Sequence, residues 1–271
     1  MKYLEIHDEK VPALGLGTWE LLGQDCVDAV RDAIQLGYRH IDTAEAYDNE
    51  KAVGRGIKDS GVSRNEIFLV TKVWPENLEP KRLRRSAETS LRKLDTDYVD
   101  LLLIHWPNPG VELERSVEAM LELQDEGKAR HLGVSNFTPS LVEEAREYAP
   151  LFCNQVECHP YLAQEKLRRQ AQGLDLMLTA YSPLARGTVA DDETLTEIGT
   201  DHGKSPAQVA LRWQMQRDPV AAIPRSSSAE RRKENFEIFD FELSDGEMER
   251  IAGLASGKRL IDPSFAPEWE S

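Results

Sequence analysis

"PKRLRRSAETSLRKLDTDYVDLLLIH", residues 80–105, changes its period part-way along. Over 80–94 the apolar side chains recur at helical spacing among charges. From Tyr98 to His105 that spacing gives way to a short, nearly continuous apolar run, "YVDLLLIH". Such a run reads as a strand covered on both faces. The same unit recurs along the chain. The runs that read as strands are "LGLGT" (14–18), "YRHID" (38–42), "IFLVTK" (67–72), "YVDLLLIH" (98–105), "ARHLGVS" (129–135), "CNQVE" (153–157), "DLMLTAY" (175–181) and "VAAIP" (220–224). Amphipathic stretches such as "SPAQVALRWQMQ" (205–216) separate them, and "SAERRKENF" (228–236) follows the last. Eight strands each followed by a helix specify an α/β fold, the (β/α)8 or TIM barrel. "YLEI" and "KVPA", separated by "HDE", read as an N-terminal hairpin. "LSDGEMERIAGL" (243–254) reads as an extra C-terminal helix with Ser244 as its N-cap. No linker, low-complexity tract or repeat divides the chain, so residues 1–271 are expected to form one barrel domain.

Composition narrows the choice of partner. Forty-eight acidic residues against 33 basic ones leave a net charge of −15, which argues against nucleic acid or an anionic membrane as the main partner. Any anionic ligand then needs a local basic site. The three cysteines, Cys26, Cys153 and Cys158, are too few and too irregularly spaced for a disulfide framework. No apolar run reaches transmembrane length, and "MKYLEIHDEK" lacks the apolar core of a signal peptide. The expectation is a soluble, cytoplasmic, monomeric protein acting on a small molecule. Its surface carboxylates should repel one another at low ionic strength, so salt should stabilise it. A saline host and an ordinary acidic bacterial protein both fit that charge.

The barrel reading directs attention to the C-terminal ends of the strands, where active sites of this fold lie. Asp42 and Tyr47 follow the second strand, Lys72 ends the third and His105 ends the fourth. Singly, each has an ordinary reading: a cap, a packed ring, a solvated ammonium, a hydrogen-bonded imidazole. Neighbouring strands lie roughly 4.8 Å apart, so the four can meet in one pocket. There Asp42 and Lys72 would form an ion pair, and Lys72 would lower the pKa of Tyr47. Tyr47 could then protonate a developing alkoxide while His105 orients the carbonyl oxygen.

"DTAEAYDNE", "LVTKVW", "LLLIHWP", "GVSNF", "NQVECHPYL", "YSPL" and "IPRSSSAERRKENF", in this order, resemble the aldo-keto reductase superfamily over about Gly15 to Leu254. The resemblance implies a TIM-barrel oxidoreductase with Asp42, Tyr47, Lys72 and His105 as its catalytic tetrad. It also implies a nicotinamide cofactor across the barrel mouth. Ser135, Asn136 and Gln155 would then hydrogen-bond the carboxamide and Tyr181 would stack on the ring. Ser182 and Leu184 would line the pyrophosphate path, with Gly17, Thr18 and Ile223 also on the cofactor. Arg225, Ser226, Ser228 and Arg231 are assigned to the adenosine phosphate, and Glu234 and Asn235 to adenine, which makes NADPH the expected cofactor. Arg225 stands where many relatives carry Lys, and "ARG" after "YSPL" departs from the more frequent polar pattern, leaving the role of Arg186 open. The basic, hydroxyl-rich cluster at a helix start is itself suggestive, because cations there oppose the helix dipole unless an anion sits between them.

Trp19, Trp74 and Trp106 follow or end strands one, three and four, and are expected to wall the substrate carbonyl. The tail "KRLIDPSFAPEWES" is similar to that of compact prokaryotic members, including 2,5-diketo-D-gluconate reductases; Trp269 either covers the pocket or packs on the surface. The expected substrates are aldehydes, α-keto esters or dicarbonyls, sugar-derived diketones among them. Tyr47 and Lys51 also match Y-x-x-x-K of the short-chain dehydrogenases, but "GLGTWE" lacks the third glycine and the following helix. A metal site from Cys153, Cys158 and His159 is not expected, since positions an odd number apart face opposite sides of a strand. The remaining alternative is a non-catalytic cofactor-binding protein on the same fold.

Overall fold

The structure is a computed structural model that describes residues 1–269. Eight parallel strands form one sheet in the order β10-β9-β8-β7-β6-β5-β4-β3. They are β3 (Leu16–Gly17), β4 (His40–Asp42), β5 (Phe68–Val73), β6 (Val99–Ile104), β7 (Ala129–Ser135), β8 (Cys153–Glu157), β9 (Met177–Tyr181) and β10 (Val220–Ala222). The two edges meet: Leu14 bridges Ala222 in parallel, Gly15 N donates to Ala222 O at 2.9 Å and Gly17 N to Pro224 O at 3.2 Å. The curled sheet therefore has the (β/α)8 form. All eight apolar runs are strands, several shorter than the run itself. Of "YRHID" only His40–Asp42 is strand, although Arg39 O accepts from Phe68 N at 2.7 Å; Tyr38 gives its hydroxyl to Arg232 O at 3.0 Å.

Helices cover the outer face, and their ends follow local chemistry. The stretch 80–94 is α3 (Pro80–Leu94), with proline in its first turn and Asp95 in the left-handed region at its end. Its buried stripe, Leu83, Ala87, Leu91 and Leu94, keeps the helical spacing seen in the sequence. The last helix among the described residues, α10 (Asp245–Ala252), is capped by Ser244, which forms a capping box with Glu247. Between β9 and β10 the chain makes more than one helix: a 3-10 segment at Ala185–Asp191, then α7 (Glu193–His202) and α8 (Pro206–Met215).

The hairpin, β1 (Tyr3–Ile6) and β2 (Glu9–Pro12), turns on His7 and Asp8, both at positive φ as a two-residue loop requires. It packs at the starts of the barrel strands. His7 N donates to Asp175 Oδ2 at 3.0 Å, and the His40 ring meets Pro12 O at 3.1 Å. With the N-terminal end closed in this way, the opposite end of the barrel is left to form a cavity. No helix among the described residues is long and apolar enough to cross a membrane.

Candidate active site

Strand register brings the first three groups together. Asp42 pairs with Val70 and Lys72 with Leu103. Side chains two apart on a strand share a face, so Asp42, Lys72 and His105 all point into the barrel. Lys72 is wholly buried and uses its ammonium fully. It donates to Asp42 Oδ1 at 2.6 Å, to Thr43 O at 2.7 Å and to the Tyr47 hydroxyl at 3.4 Å. The second carboxylate oxygen of Asp42 accepts from Gln155 Nε2 at 2.8 Å, a bond that crosses the barrel from β8 to β4. Tyr47 comes from the 3-10 turn Glu45–Tyr47, and its ring meets that of His105 edge to face at 5.7 Å.

The electrostatics correct one expectation. Burial raises the pKa of Tyr47 above its ordinary value; Lys72 pulls the other way but does not prevail. Tyr47 is therefore a protonated phenol at neutral pH in this state, not an acidified one. Burial also works against the Lys72 ammonium, yet Asp42 and Tyr47 hold its pKa above the usual lysine value. His105 is driven well below the ordinary imidazole value, by burial first and by Lys72 second. Its Nδ1 is enclosed with no hydrogen-bond partner among the described residues. The imidazole is neutral.

These groups open into a cavity of about 470 Å³ at the C-terminal end of the strands. Of the residues singled out in the sequence, Gly17, Thr18, Trp19, Asp42, Tyr47 and Trp74 line it on one side. His105, Trp106, Asn136, Gln155, Tyr181 and Ser182 line it as well, with Ile223 and Arg225 at β10. Lys72 lies beneath Asp42 and Tyr47. Ser135 supports the floor: it donates to Gln155 O at 2.9 Å and accepts from Asn136 Nδ2 at 3.1 Å. Asn136 Nδ2 also donates to His105 O at 3.0 Å, and the Tyr181 hydroxyl donates to Asn136 Oδ1 at 2.7 Å. The tip of the Tyr181 side chain is thus held in place.

The remaining expected cofactor residues lie beyond the cavity lining. Leu184 packs partly buried against the core, while Ser226 and Ser228 shape the turn into α9 (Ala229–Phe236). Ser228 caps that helix by accepting from Arg231 N, and Glu234 and Asn235 follow on its later turns. Arg231 is exposed and has no ion-pair partner among the described residues. Arg225 donates to Glu20 Oε2 at 2.6 Å. Gly17 permits the contact between β3 and β10 at this corner, since a Cβ there would stand 2.7 Å from Ile223 O. Two guanidinium groups and a capped helix start beside that close approach suit a phosphate-bearing cofactor.

The sequence profile of the Aldo/keto reductase family matches residues 13–256. The chain belongs to that family. It is 41% identical over 266 residues to methylglyoxal reductase DkgB of Escherichia coli O157:H7, covering 96% of this chain and 99% of that protein. It is 43% identical over 254 residues to glyoxal reductase of Bacillus subtilis (strain 168), covering 93% and 91% respectively. The crystal structure of "a putative 2,5-diketo-D-gluconic acid reductase B" superposes with a TM-score of 0.97 at 43% identity, covering 100% of this chain and 98% of the other. The protein is an oxidoreductase of carbonyl compounds that works with a nicotinamide cofactor.

Several residues that shape this aldo-keto reductase site carried no signal by periodicity. Glu45 accepts from Trp74 N, from the Ser86 hydroxyl and from Asn77 Nδ2 at 3.1 Å, tying the Tyr47 turn to the end of β5. Asn49 donates to Thr18 O at 2.7 Å and to Leu21 O at 3.0 Å, joining the first two strand-end loops. Arg232, buried, donates to Ser226 O at 3.2 Å and Ser227 O at 2.9 Å and so holds the turn after β10. Phe265 of the tail wedges against Trp74 at 5.7 Å and Trp106 at 5.6 Å. All three tryptophans line the cavity, Trp19 at its open side: it is 41% exposed, with the Arg186 guanidinium 5.1 Å over its ring. Trp269 lies by Trp106 at 6.2 Å and donates to Asp262 Oδ1 at 2.9 Å. Among the described residues no cluster of His, Cys, Asp and Glu could hold a metal ion; His159 is bonded instead to Glu157 at 2.9 Å.

Proposed function

We propose that this enzyme reduces small aldehydes and dicarbonyls to alcohols with NADPH, and that Tyr47 is the general acid. The observation that carries the reading is the chain Asp42–Lys72–Tyr47 beside a neutral His105 in one cavity. A nicotinamide bound across the mouth would supply hydride to the carbonyl carbon. Tyr47, protonated at neutral pH, gives its hydroxyl proton to the carbonyl oxygen as negative charge develops there. The tyrosinate left behind is stabilised by the Lys72 ammonium, which Asp42 and Thr43 hold in place. Because His105 is neutral, it keeps one N–H to donate to the same oxygen without adding a competing positive charge.

Tyr181, its hydroxyl held by Asn136, offers a face for the nicotinamide, and Asn136 and Gln155 border the same space. Arg225 and Arg231 with Ser226 and Ser228 provide donors for an adenosine phosphate. Half exposed, the Arg225–Glu20 pair is worth at most about 1 kcal/mol, so a phosphate can displace Glu20. The dicarbonyl class is suggested by the methylglyoxal and glyoxal reductases among the relatives. Steady-state assays of methylglyoxal, glyoxal, an aromatic aldehyde and a sugar diketone with NADPH test this reading. Tyr47→Phe should lower kcat at least ~100-fold, as loss of acid–base catalysis does, with cofactor affinity nearly unchanged. A variant with near-normal kcat refutes the role of Tyr47, and an inert wild-type enzyme refutes the substrate class.

A further inference from the structure

Glu157 at the end of β8 is fully buried, as is His159, and among the described residues no Lys or Arg nitrogen comes within ion-pair distance of the Glu157 carboxylate, although the Arg259 guanidinium is near enough to interact with its charge. Burying a carboxylate is costly unless its oxygens are hydrogen-bonded. Here the donors come from the far end of the chain. Glu157 Oε1 accepts from Leu260 N at 2.8 Å and Oε2 from Ile261 N at 2.9 Å, while the His159 ring Nε2 meets Oε1 at 2.9 Å. Four residues on, the Tyr161 carbonyl accepts from Ser256 N at 3.1 Å and Lys258 N at 3.2 Å. One short loop thus receives four backbone N–H groups of the tail.

What the tail does next gives this its importance. From the second anchored amide onward, Ile261, Asp262, Pro263 and Phe265 line the cavity that holds Asp42, Tyr47 and His105. Phe265 is 46% exposed and meets the rings of Trp74 and Trp106. The strap closes on itself: the Arg259 guanidinium lies 3.5 Å from the Trp269 ring centre, and Trp269 bonds Asp262. Among the described residues the tail has neither helix nor strand beyond α10, so these bonds are what hold it over the mouth. The strongest are those to the carboxylate.

We propose that Glu157 is a positioning residue for substrate selection: its carboxylate, oriented by His159, latches the tail so that Ile261 and Phe265 form the substrate-facing wall. The proposal rests on the carbonyl-reduction reading for what the wall contacts, but the latch itself is a claim about the fold. Glutamine at 157 keeps the shape and replaces one acceptor oxygen with a carboxamide NH2, a donor that faces an N–H. In Glu157→Gln, trypsin should cut after Lys258 or Arg259 at least ~10-fold faster than in wild type, the lower end of what losing a hydrogen bond to a charged group costs. The KM for methylglyoxal should rise by a similar factor, with kcat changed less than about 3-fold and NADPH binding less than about 2-fold, as expected for lost substrate binding alone.

Phe265→Ala should raise KM without faster cleavage, since it removes the wall but leaves the latch. If Glu157→Gln does not fold, Leu260→Pro deletes one accepted N–H from the tail side; because trypsin does not cut before proline, cleavage in that variant is read after Lys258 alone, against the wild-type rate at the same bond. Cleavage at the wild-type rate overturns the latch. Faster cleavage with unchanged KM, or a fall in kcat that matches the fall in kcat/KM, overturns the role in selection. Should wild type reduce no carbonyl compound, the functional reading fails while the cleavage comparison still decides the latch.

Discussion

Replacing Lys72 by methionine should strand a charge in the barrel. In the native protein the ammonium gives all three N–H groups to Asp42 Oδ1, Thr43 O and the Tyr47 hydroxyl, with Lys72 and Asp42 essentially without solvent. Methionine fills much of the same space but donates nothing. The Asp42 carboxylate then keeps the single bond from Gln155 Nε2 at 2.8 Å. Removing one partner of a buried pair costs roughly 3–5 kcal/mol. For a chain of this length each kcal/mol is worth about 2 °C, so the midpoint should fall by ~6–10 °C.

Urea denaturation followed by both circular dichroism and tryptophan fluorescence measures the change, provided the two transitions coincide. Asp42→Asn with Lys72→Met removes the stranded charge, so the double variant should recover at least ~2 kcal/mol of the loss. Lys72→Met within about 1 kcal/mol of wild type, or a double variant whose losses simply add, would refute the argument. Linkage supplies a second check. The folded pKa of Lys72 is raised from its ordinary 10.5, so the pair's contribution is present below pH 10.5 and is lost as pH rises through the higher value.

Other expected outcomes concern different parts of the molecule. His40, His105 and His131 all have folded pKa values below the ordinary 6.5, so stability should be retained above that pH and fall below it, where the unfolded chain gains protons. Flat urea midpoints from pH 7 down to 5 would contradict this. For the same reason kcat should show no imidazole step near pH 6.5, whereas such a step would put a charge on His105. Arg225→Ala and Arg231→Ala should each weaken NADPH by about 10-fold or more, the loss of a charge-assisted contact, and NADH far less. Isothermal titration with both cofactors tests this, and equal losses would move the phosphate site elsewhere. With a net charge of −15, the melting temperature should rise between dilute buffer and molar KCl, and no rise would remove self-repulsion as a factor.

Sequence was most legible where the physics is local. A strand buried on both faces must be an apolar run, so all eight strands could be read, and β7 and β8 keep the very bounds of "ARHLGVS" and "CNQVE". The ends of β3 and β10 were harder, because few residues there pair and closure runs through Leu14 and Pro224 outside the named strands. The grouping of Asp42, Tyr47, Lys72 and His105 was visible from their places at or just past strand ends, since barrel topology turns sequence order into proximity. The protonation of Tyr47 was not. Its pKa reflects a contest between Lys72 and burial, and only the packed cavity shows that burial prevails. Glu45 and Glu157 illustrate a different limit. One reaches Trp74, 29 positions away, and the other reaches Leu260, 103 positions away. Neither bond leaves a trace in any local pattern, because its acceptor is one unremarkable glutamate and its donor a backbone amide. Such carboxylates set the loops against one another, so the chemistry announced at strand ends depends on residues whose own neighbourhoods announce nothing.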